Sequence, residues 1–132
     1  GTECVTLSLL ANRGYFMYSV KATEIGSSVR ALMEEKMIVL FGPTAPTELR
    51  DICVVHDGKP TTDEVVHNGG TISFNNQTYT IVEVGDVANE NFVTLGHLTV
   101  NFSKEPGVLP GSIRVDTEEV PDINVGDTIA IQ

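Results

Sequence analysis

Short stretches of apolar or alternating residues recur along the chain from Tyr18 onward, each about as long as one β-strand. Asn, Gly, Pro and Asp residues lie between them and supply the turns that short strands need. The predicted strands are Tyr18–Glu24, Met37–Phe41, Ile52–His56, Thr71–Phe74, Thr78–Val84, His97–Phe102, Ser112–Val115 and Asp127–Ile131. The segment Asn75–Gln77 between two of them predicts a hairpin connection.

Helical patterns are fewer and shorter. Ser28–Glu35 predicts a helix capped by Ser27 or Ser28, and Thr44–Asp51 predicts one or two turns that lead into the next strand, with Pro46 in the first turn. Asn89–Leu95 predicts a third helix, with Asn as its cap and Gly96 as its stop. We find no long helix and no regular internal repeat in the sequence. The pattern predicts a mainly β fold, a small and mostly antiparallel barrel or sandwich with a few short helical turns.

Composition narrows the function. The 132 residues suffice for one domain, and a hydrophobic fraction of 41% is typical of a folded globule. Eighteen acidic residues against eight basic ones give a formal net charge of -10, which argues against nucleic acid as a partner. The apolar runs are too short for a transmembrane helix, and no secretory signal is evident. With only two cysteines, Cys4 and Cys53, a reducing cytoplasm is the expected location.

The first sixteen residues differ from the rest. Met17 is followed at once by the alternating sequence YSVKATEIG, so Met17 is a candidate native start, with residues 1–16 a leader or an added segment. The alternative is that VTLSLL within them forms an edge strand. On the first interpretation residues 17–132 form a single domain.

His56 is the leading candidate for chemistry. It ends the apolar run CVVH and precedes the turn Asp57-Gly58, so an imidazole here would be half buried and half exposed. That position suits a histidine held through one ring nitrogen and reactive at the other. The alternative is a histidine that only caps a strand, and the local sequence alone favours it.

Two other histidines are weaker candidates. His97 begins a strand directly after Gly96, and two histidines at element boundaries could meet in space, one accepting a group and the other donating a hydrogen bond to it. A buried, satisfied histidine is an equally good interpretation of His97. His67 lies among turn residues and is expected to be solvated.

Cys53 is a weaker candidate for chemistry than His56. On a strand, Cys53 and His56 point to opposite faces, which disfavours a Cys-His hydrolase, and no further Cys or His spacing fits a zinc site. Cys53 is therefore expected to be a core thiol. No phosphate-binding glycine loop is found, so neither a nucleotide cofactor nor a metal is expected.

Three segments together resemble a known family. They are APTELRDICVVHDGKP (45–60), VEVGDVANENFVTLGHLTVNF (82–102) and the ending PGSIRV…VPDINVGDTIAI, preceded by YSVKATEIGSSV. From Met17 onward the chain resembles the glucitol/sorbitol-specific enzyme IIA of the bacterial sugar phosphotransferase system. Residues 1–16 have no counterpart in that pattern.

The resemblance implies a small closed β-barrel that carries a phosphoryl group without a cofactor or metal. It implies that His56 accepts phosphate from the histidine-containing phosphocarrier protein and passes it to a cysteine of the IIB unit of the IIB/IIC sorbitol transporter. Expected supports for the phosphoryl group are His97, Thr99, Lys59 and the backbone N–H groups of the Asp57-Gly58 turn. A homodimer through exposed barrel edges is also expected.

One alternative belongs to a different class of protein. The same scaffold could be a non-catalytic barrel that binds a sugar or a regulatory protein. Phosphorylation of the protein, tested directly, distinguishes the two.

Overall fold

A computed structural model describes residues 17–61 and 64–132, so the leader prediction for residues 1–16 and the alternative strand VTLSLL lie outside the described residues. The described chain forms eight strands and three short helices. The strands are β1 Tyr18–Ile25, β2 Met37–Phe41, β3 Cys53–His56, β4 Thr71–Phe74, β5 Gln77–Val84, β6 Leu98–Phe102, β7 Ser112–Val115 and β8 Thr128–Ile131. The helices are α1 Val29–Glu34, α2 Thr47–Arg50 and α3 Ala88–Leu95. Within these ranges no helix has the length and apolarity to cross a membrane.

The strands close into a barrel in the order β1-β3-β2-β6-β7-β5-β4-β8. Pairing is parallel between β2 and β3 and between β6 and β7, and antiparallel at the other junctions. The closed barrel confirms the predicted mainly β fold and excludes the sandwich. Because each described strand has a neighbour on both sides, the expectation of exposed barrel edges is wrong, and with it the reason given for a homodimer.

Side-chain alternation divides the apolar residues between the barrel interior and one outer face. The interior holds the large buried residues of every strand, including Val54 at the centre of β3. Cys53 and Val55, which flank Val54, point outward and pack with Val39, Phe41 and Ala45. Period-two alternation thus holds in β3 even though all four of its residues are buried.

The barrel contains an internal two-fold repeat, which the sequence did not reveal. β1, β2, β3 and β4 correspond in pairing to β5, β6, β7 and β8. Ile25 faces Val54 in β3, as Val84 faces Ile113 in β7. In each half a glycine follows the first strand, and a helix begins three residues later, at Val29 and at Ala88. The repeat is therefore one of backbone architecture, in a chain whose sequence has no regular repeat.

Three predicted helix starts also differ in detail. The hydroxyls of Ser27 and Ser28 bind the carboxylate of Asp51 and do not cap α1. Pro46 lies at the N-cap of α2, one residue ahead of its first turn. Asn89 lies inside α3, where its side chain binds the backbone of a neighbouring loop. For the two serines and Asn89, the polar side chain predicted to cap a helix binds a partner distant in sequence instead.

Candidate functional site

His56 ends β3 on the interior side of the barrel, where it lies opposite Ala22 of β1. The register between β1 and β3 shifts beside this pair, and Thr23, the residue at the shift, donates its hydroxyl hydrogen to the Val55 carbonyl. Such a bulge bends the strand and redirects side chains. The result is an imidazole with 0% of its surface exposed, so the prediction of a half-exposed histidine is wrong.

Both ring nitrogens of His56 are engaged by backbone groups. Nε2 lies 2.9 Å from the carbonyl oxygen of Gly96, and Nδ1 lies 3.0 Å from the backbone nitrogen of Gly58. A carbonyl only accepts and an N–H only donates, so Nε2 carries the proton and Nδ1 the lone pair. The arrangement thus favours one tautomer of the neutral ring.

Gly58 and Gly96 are glycines because the imidazole leaves no room for a side chain. A Cβ on Gly58 would lie 2.8 Å from both Nδ1 and Cε1 of the ring, and one on Gly96 would lie 2.6 Å from Cε1 and 2.7 Å from Nε2. Gly96 also has φ +70 as the left-handed C-cap of α3, a conformation that favours glycine. The two glycines therefore hold the ring from either side.

Beside these glycines lies a pocket of about 130 Å³. Its lining includes Gly58 and Gly96 together with residues on the loops around them: Pro43, Thr44, Lys59, Pro60, Thr94 and Leu95. Lys59 and Leu95 are exposed. The pocket thus brings a lysine and an apolar rim to the glycines that cover the imidazole.

The surroundings keep His56 neutral. Burial lowers the pKa of His56 below its ordinary value of 6.5, while the hydrogen bond to Gly96 and the charge of Asp57 act in the opposite direction. The ring of Phe92, from α3, lies 5.9 Å from the imidazole and contributes to that burial. A neutral imidazole retains a lone pair and can act as a nucleophile.

The predicted supporting residues divide into two groups. Gly58 and Lys59 lie at the site, Gly58 in contact with the ring and Lys59 on the pocket rim. His97 stacks its ring on Phe41 at 4.5 Å, on the outer face of the barrel, and burial lowers its pKa. Thr99 follows in β6, where its backbone binds Gly111.

The remaining histidine and the cysteine agree with expectation. His67 is exposed in a loop. Cys53 is a free, buried thiol on the opposite face of β3 from His56, and burial raises its pKa, which excludes a Cys-His pair at this position. Among residues 17–61 and 64–132 no cluster of three or more His, Cys, Asp or Glu side chains is placed to hold a metal ion.

Sequence reasoning missed three residues of the site: Gly96, Phe92 and Tyr18. Gly96 was expected only to end a helix, and its contact with His56 joins positions 40 residues apart. Tyr18 packs edge-on against Phe92 at 5.3 Å, and its hydroxyl donates to the Lys59 carbonyl at 3.0 Å. No local signal marks these contacts, because the barrel closure creates them.

Comparison with known proteins agrees with this architecture. A solved PTS (phosphotransferase system) IIA component from Enterococcus faecalis matches with a TM-score of 0.78 and 29% identity, covering 85% of this chain and 97% of that one. The glucitol/sorbitol-specific EIIA components of Shigella flexneri and Escherichia coli are each 28% identical over 118 residues, 88% of this chain and 94% of theirs. The fold is therefore that of a phosphotransferase-system IIA component.

The particular family follows from the sequence profile. The family model for the PTS system glucitol/sorbitol-specific IIA component matches residues 17–130. The chain belongs to this family, as its sequence motifs predicted.

Proposed function

We propose that this protein carries a phosphoryl group on His56 during sugar uptake. In this role His56 accepts the group from the histidine-containing phosphocarrier protein and passes it to a cysteine of the IIB unit, for phosphorylation of sorbitol (glucitol) at the IIB/IIC transporter. The observation that carries the proposal is a neutral, buried imidazole held between Gly58 and Gly96 beside a pocket. Family membership supplies the reaction class.

The proposed step is an in-line transfer between two histidines. A ring nitrogen of His56 attacks phosphorus, the N–P bond of the donor phosphohistidine breaks, and its electron pair returns to the donor imidazole. Because Nε2 carries the proton and Nδ1 the lone pair, Nδ1 is the attacking nitrogen, and the Gly58 N–H must release it before the new bond forms. The remaining contact keeps the ring oriented during attack.

The incoming group adds up to about two negative charges to a chain that already carries a formal charge of -10. Stabilising donors must therefore lie close to the ring. The Gly58 N–H already points at the imidazole, and Lys59 lines the pocket beside it. The Asp57 N–H is less suitable because it donates to the Lys21 carbonyl. We assign the stabilising roles to Gly58 and Lys59. His97 and Thr99 do not line the pocket beside the ring, so we assign them only an indirect effect on the transfer.

Intact-mass analysis tests the acceptor directly. The wild-type protein, incubated with phosphoenolpyruvate, enzyme I and the carrier protein, should gain one acid-labile phosphoryl group. His56→Gln should gain none, because the amide lacks a nucleophilic ring nitrogen. His67→Gln is the matched control and should be phosphorylated normally, since His67 is exposed in a loop and does not line the pocket beside His56. His97→Gln should remain folded and react more slowly.

A phosphoryl group on His56→Gln would show that another residue is the acceptor. A wild-type protein that is folded and gains no phosphate with active carrier would favour the non-catalytic sugar- or protein-binding barrel.

A further inference from the structure

Tyr18 brings a polar group to the edge of the site. Its side chain is half-buried on β1, where the ring meets Phe92 at 5.3 Å with an interplanar angle of 74°. Phe92 in turn lies 5.9 Å from the His56 imidazole. The tyrosine ring is therefore fixed by the same aromatic residue that helps to bury the histidine.

The hydroxyl of Tyr18 holds the segment that follows β3. It donates to the backbone carbonyl of Lys59 at 3.0 Å, across 41 positions of sequence. Lys59 is the residue next to Gly58, whose N–H donates to His56 Nδ1. Two consecutive residues are thus tied, one to the tyrosine and the other to the imidazole.

Packing at Gly58 shows how closely these groups approach. The position that a Cβ of Gly58 would occupy lies 2.6 Å from the Tyr18 hydroxyl oxygen and 2.8 Å from His56 Nδ1. The hydroxyl and the imidazole therefore enclose the same small volume at Gly58. A shift of the Gly58-Lys59 backbone cannot occur without changing both contacts.

We propose that Tyr18 is a positioning residue for phosphoryl transfer, whose hydroxyl fixes the Gly58-Lys59 backbone so that the Gly58 N–H stays beside His56 Nδ1 and can donate to the phosphoryl oxygens once Nδ1 has attacked. This inference rests on the proposed role of His56. Burial, and secondarily the charge of Asp57, raises the pKa of Tyr18, so the hydroxyl remains protonated and able to donate.

Tyr18→Phe tests this role because it keeps the ring against Phe92 and removes only the donor. One lost hydrogen bond that aligns the reacting group should slow phosphorylation of His56 by the carrier protein about threefold to tenfold. Hydrogen exchange at the Gly58 amide, followed by NMR, should become faster, because the Lys59 carbonyl is released. A purely structural role would instead lower global stability without a selective change at Gly58.

Tyr79→Phe is the matched control. Tyr79 is also half-buried and packs edge-on against Phe102, at 5.2 Å, and against Phe74. It should leave both the transfer rate and Gly58 exchange at wild-type values. Wild-type rate and exchange in Tyr18→Phe would overturn the inference. Phosphorylation of His56→Gln would overturn the acceptor assignment, whereas the exchange measurement at Gly58 needs no phosphate, so the two failures are distinguishable.

Discussion

The two halves of the barrel follow one backbone plan and differ in what they bury at the end of the third strand. His56 faces Ala22 across a bulge in the first half, and at the equivalent point of the second half Val115 faces Ile81 across a similar bulge. Both positions are buried. The repeated architecture therefore accommodates an apolar residue or an imidazole at this position, and the proposed phosphoryl acceptor lies in one half alone.

One residue earlier in these strands, the first half has the apolar residue and the second half has the polar one. Val55 of β3 corresponds to Arg114 of β7, which is 7% exposed. The Arg114 guanidinium donates to Glu83 at 2.5 Å and to the Ser103 carbonyl at 2.8 Å, so its charge is matched by a carboxylate. His56 has only backbone partners. A permanent charge is buried with a counter-charge, while the proposed phosphoryl acceptor is buried neutral.

Among the substitutions that test this comparison, Gly96→Ala should cause the largest loss of stability and of phosphorylation. Gly96 and Lys36 are the left-handed residues that end α3 and the turn after α1, with φ of 70 and 64. The new methyl group would meet the His56 ring and the Gly42 backbone nitrogen, which lies 2.9 Å from the Cβ position. We expect a loss of about 2–4 kcal/mol of unfolding free energy, measured by denaturant titration, and strongly reduced phosphorylation.

Two controls separate the causes of that loss. Gly126→Ala places the same methyl group at φ +92 with nothing within 4 Å, so it should cost only about 1 kcal/mol. Lys36→Gly relieves the strained φ in the other half and should be neutral or stabilising by up to about 1 kcal/mol. Equal losses in Gly96→Ala and Gly126→Ala would show that contact with His56 is unimportant.

Arg114→Val makes the second half resemble the first at this position. The substitution leaves Glu83 without its guanidinium partner, and because the Glu83 side chain is 30% exposed, water replaces part of the interaction. We expect a loss of about 2 kcal/mol in unfolding free energy with phosphorylation unchanged. Arg30→Val removes an exposed pair with Asp122 and should cost less than about 1 kcal/mol. Equal losses of stability in Arg114→Val and Arg30→Val would show that burial of the Arg114 charge with Glu83 does not matter for stability.

Lowering the pH should reduce the unfolding free energy by a smaller amount, and His56 should account for part of that reduction. Its pKa is lowered in the folded state, so the unfolded chain binds more protons between the folded pKa and about 6.5. Stability from this group is complete above pH 6.5 and decreases as the pH falls through that window, by about 1.4 kcal/mol per unit of pKa difference. The His97 pKa is lowered in the same direction.

The measurement is the unfolding free energy at several pH values between 7 and 5. As the pH falls, the unfolding free energy of His56→Gln should decrease less steeply than that of the wild type. The decrease that remains is the one due to His97. The phosphorylation rate of the wild type should stay constant to below pH 6.5, since the imidazole remains neutral there. An identical pH dependence in His56→Gln would show that His56 is not buried neutral.

Local sequence sufficed for the strands, because apolar alternation is encoded within a few residues. The role predicted for His56 came from the family resemblance, since the local sequence alone favoured a histidine that caps a strand. The local sequence did not predict complete burial of the imidazole. That burial depends on Gly96 and Phe92, which barrel closure brings from α3 and its C-cap. The internal repeat is faint in the sequence because few equivalent residues match: Glu24 and Gly26 recur as Glu83 and Gly85, whereas Val55 and His56 correspond to Arg114 and Val115.

Pairing of β1 with β8 has a consequence for synthesis. Tyr18 lies opposite Ile131, so the first and last described strands are neighbours in the closed ring. On the ribosome, β1 can pair with β3 early, whereas its other edge stays open until β8 has emerged. During that interval the nascent chain presents unpaired backbone groups that could bind another strand. Once Thr128–Ile131 has left the ribosome and paired with β1, the open strand edge is covered and aggregation through it ends.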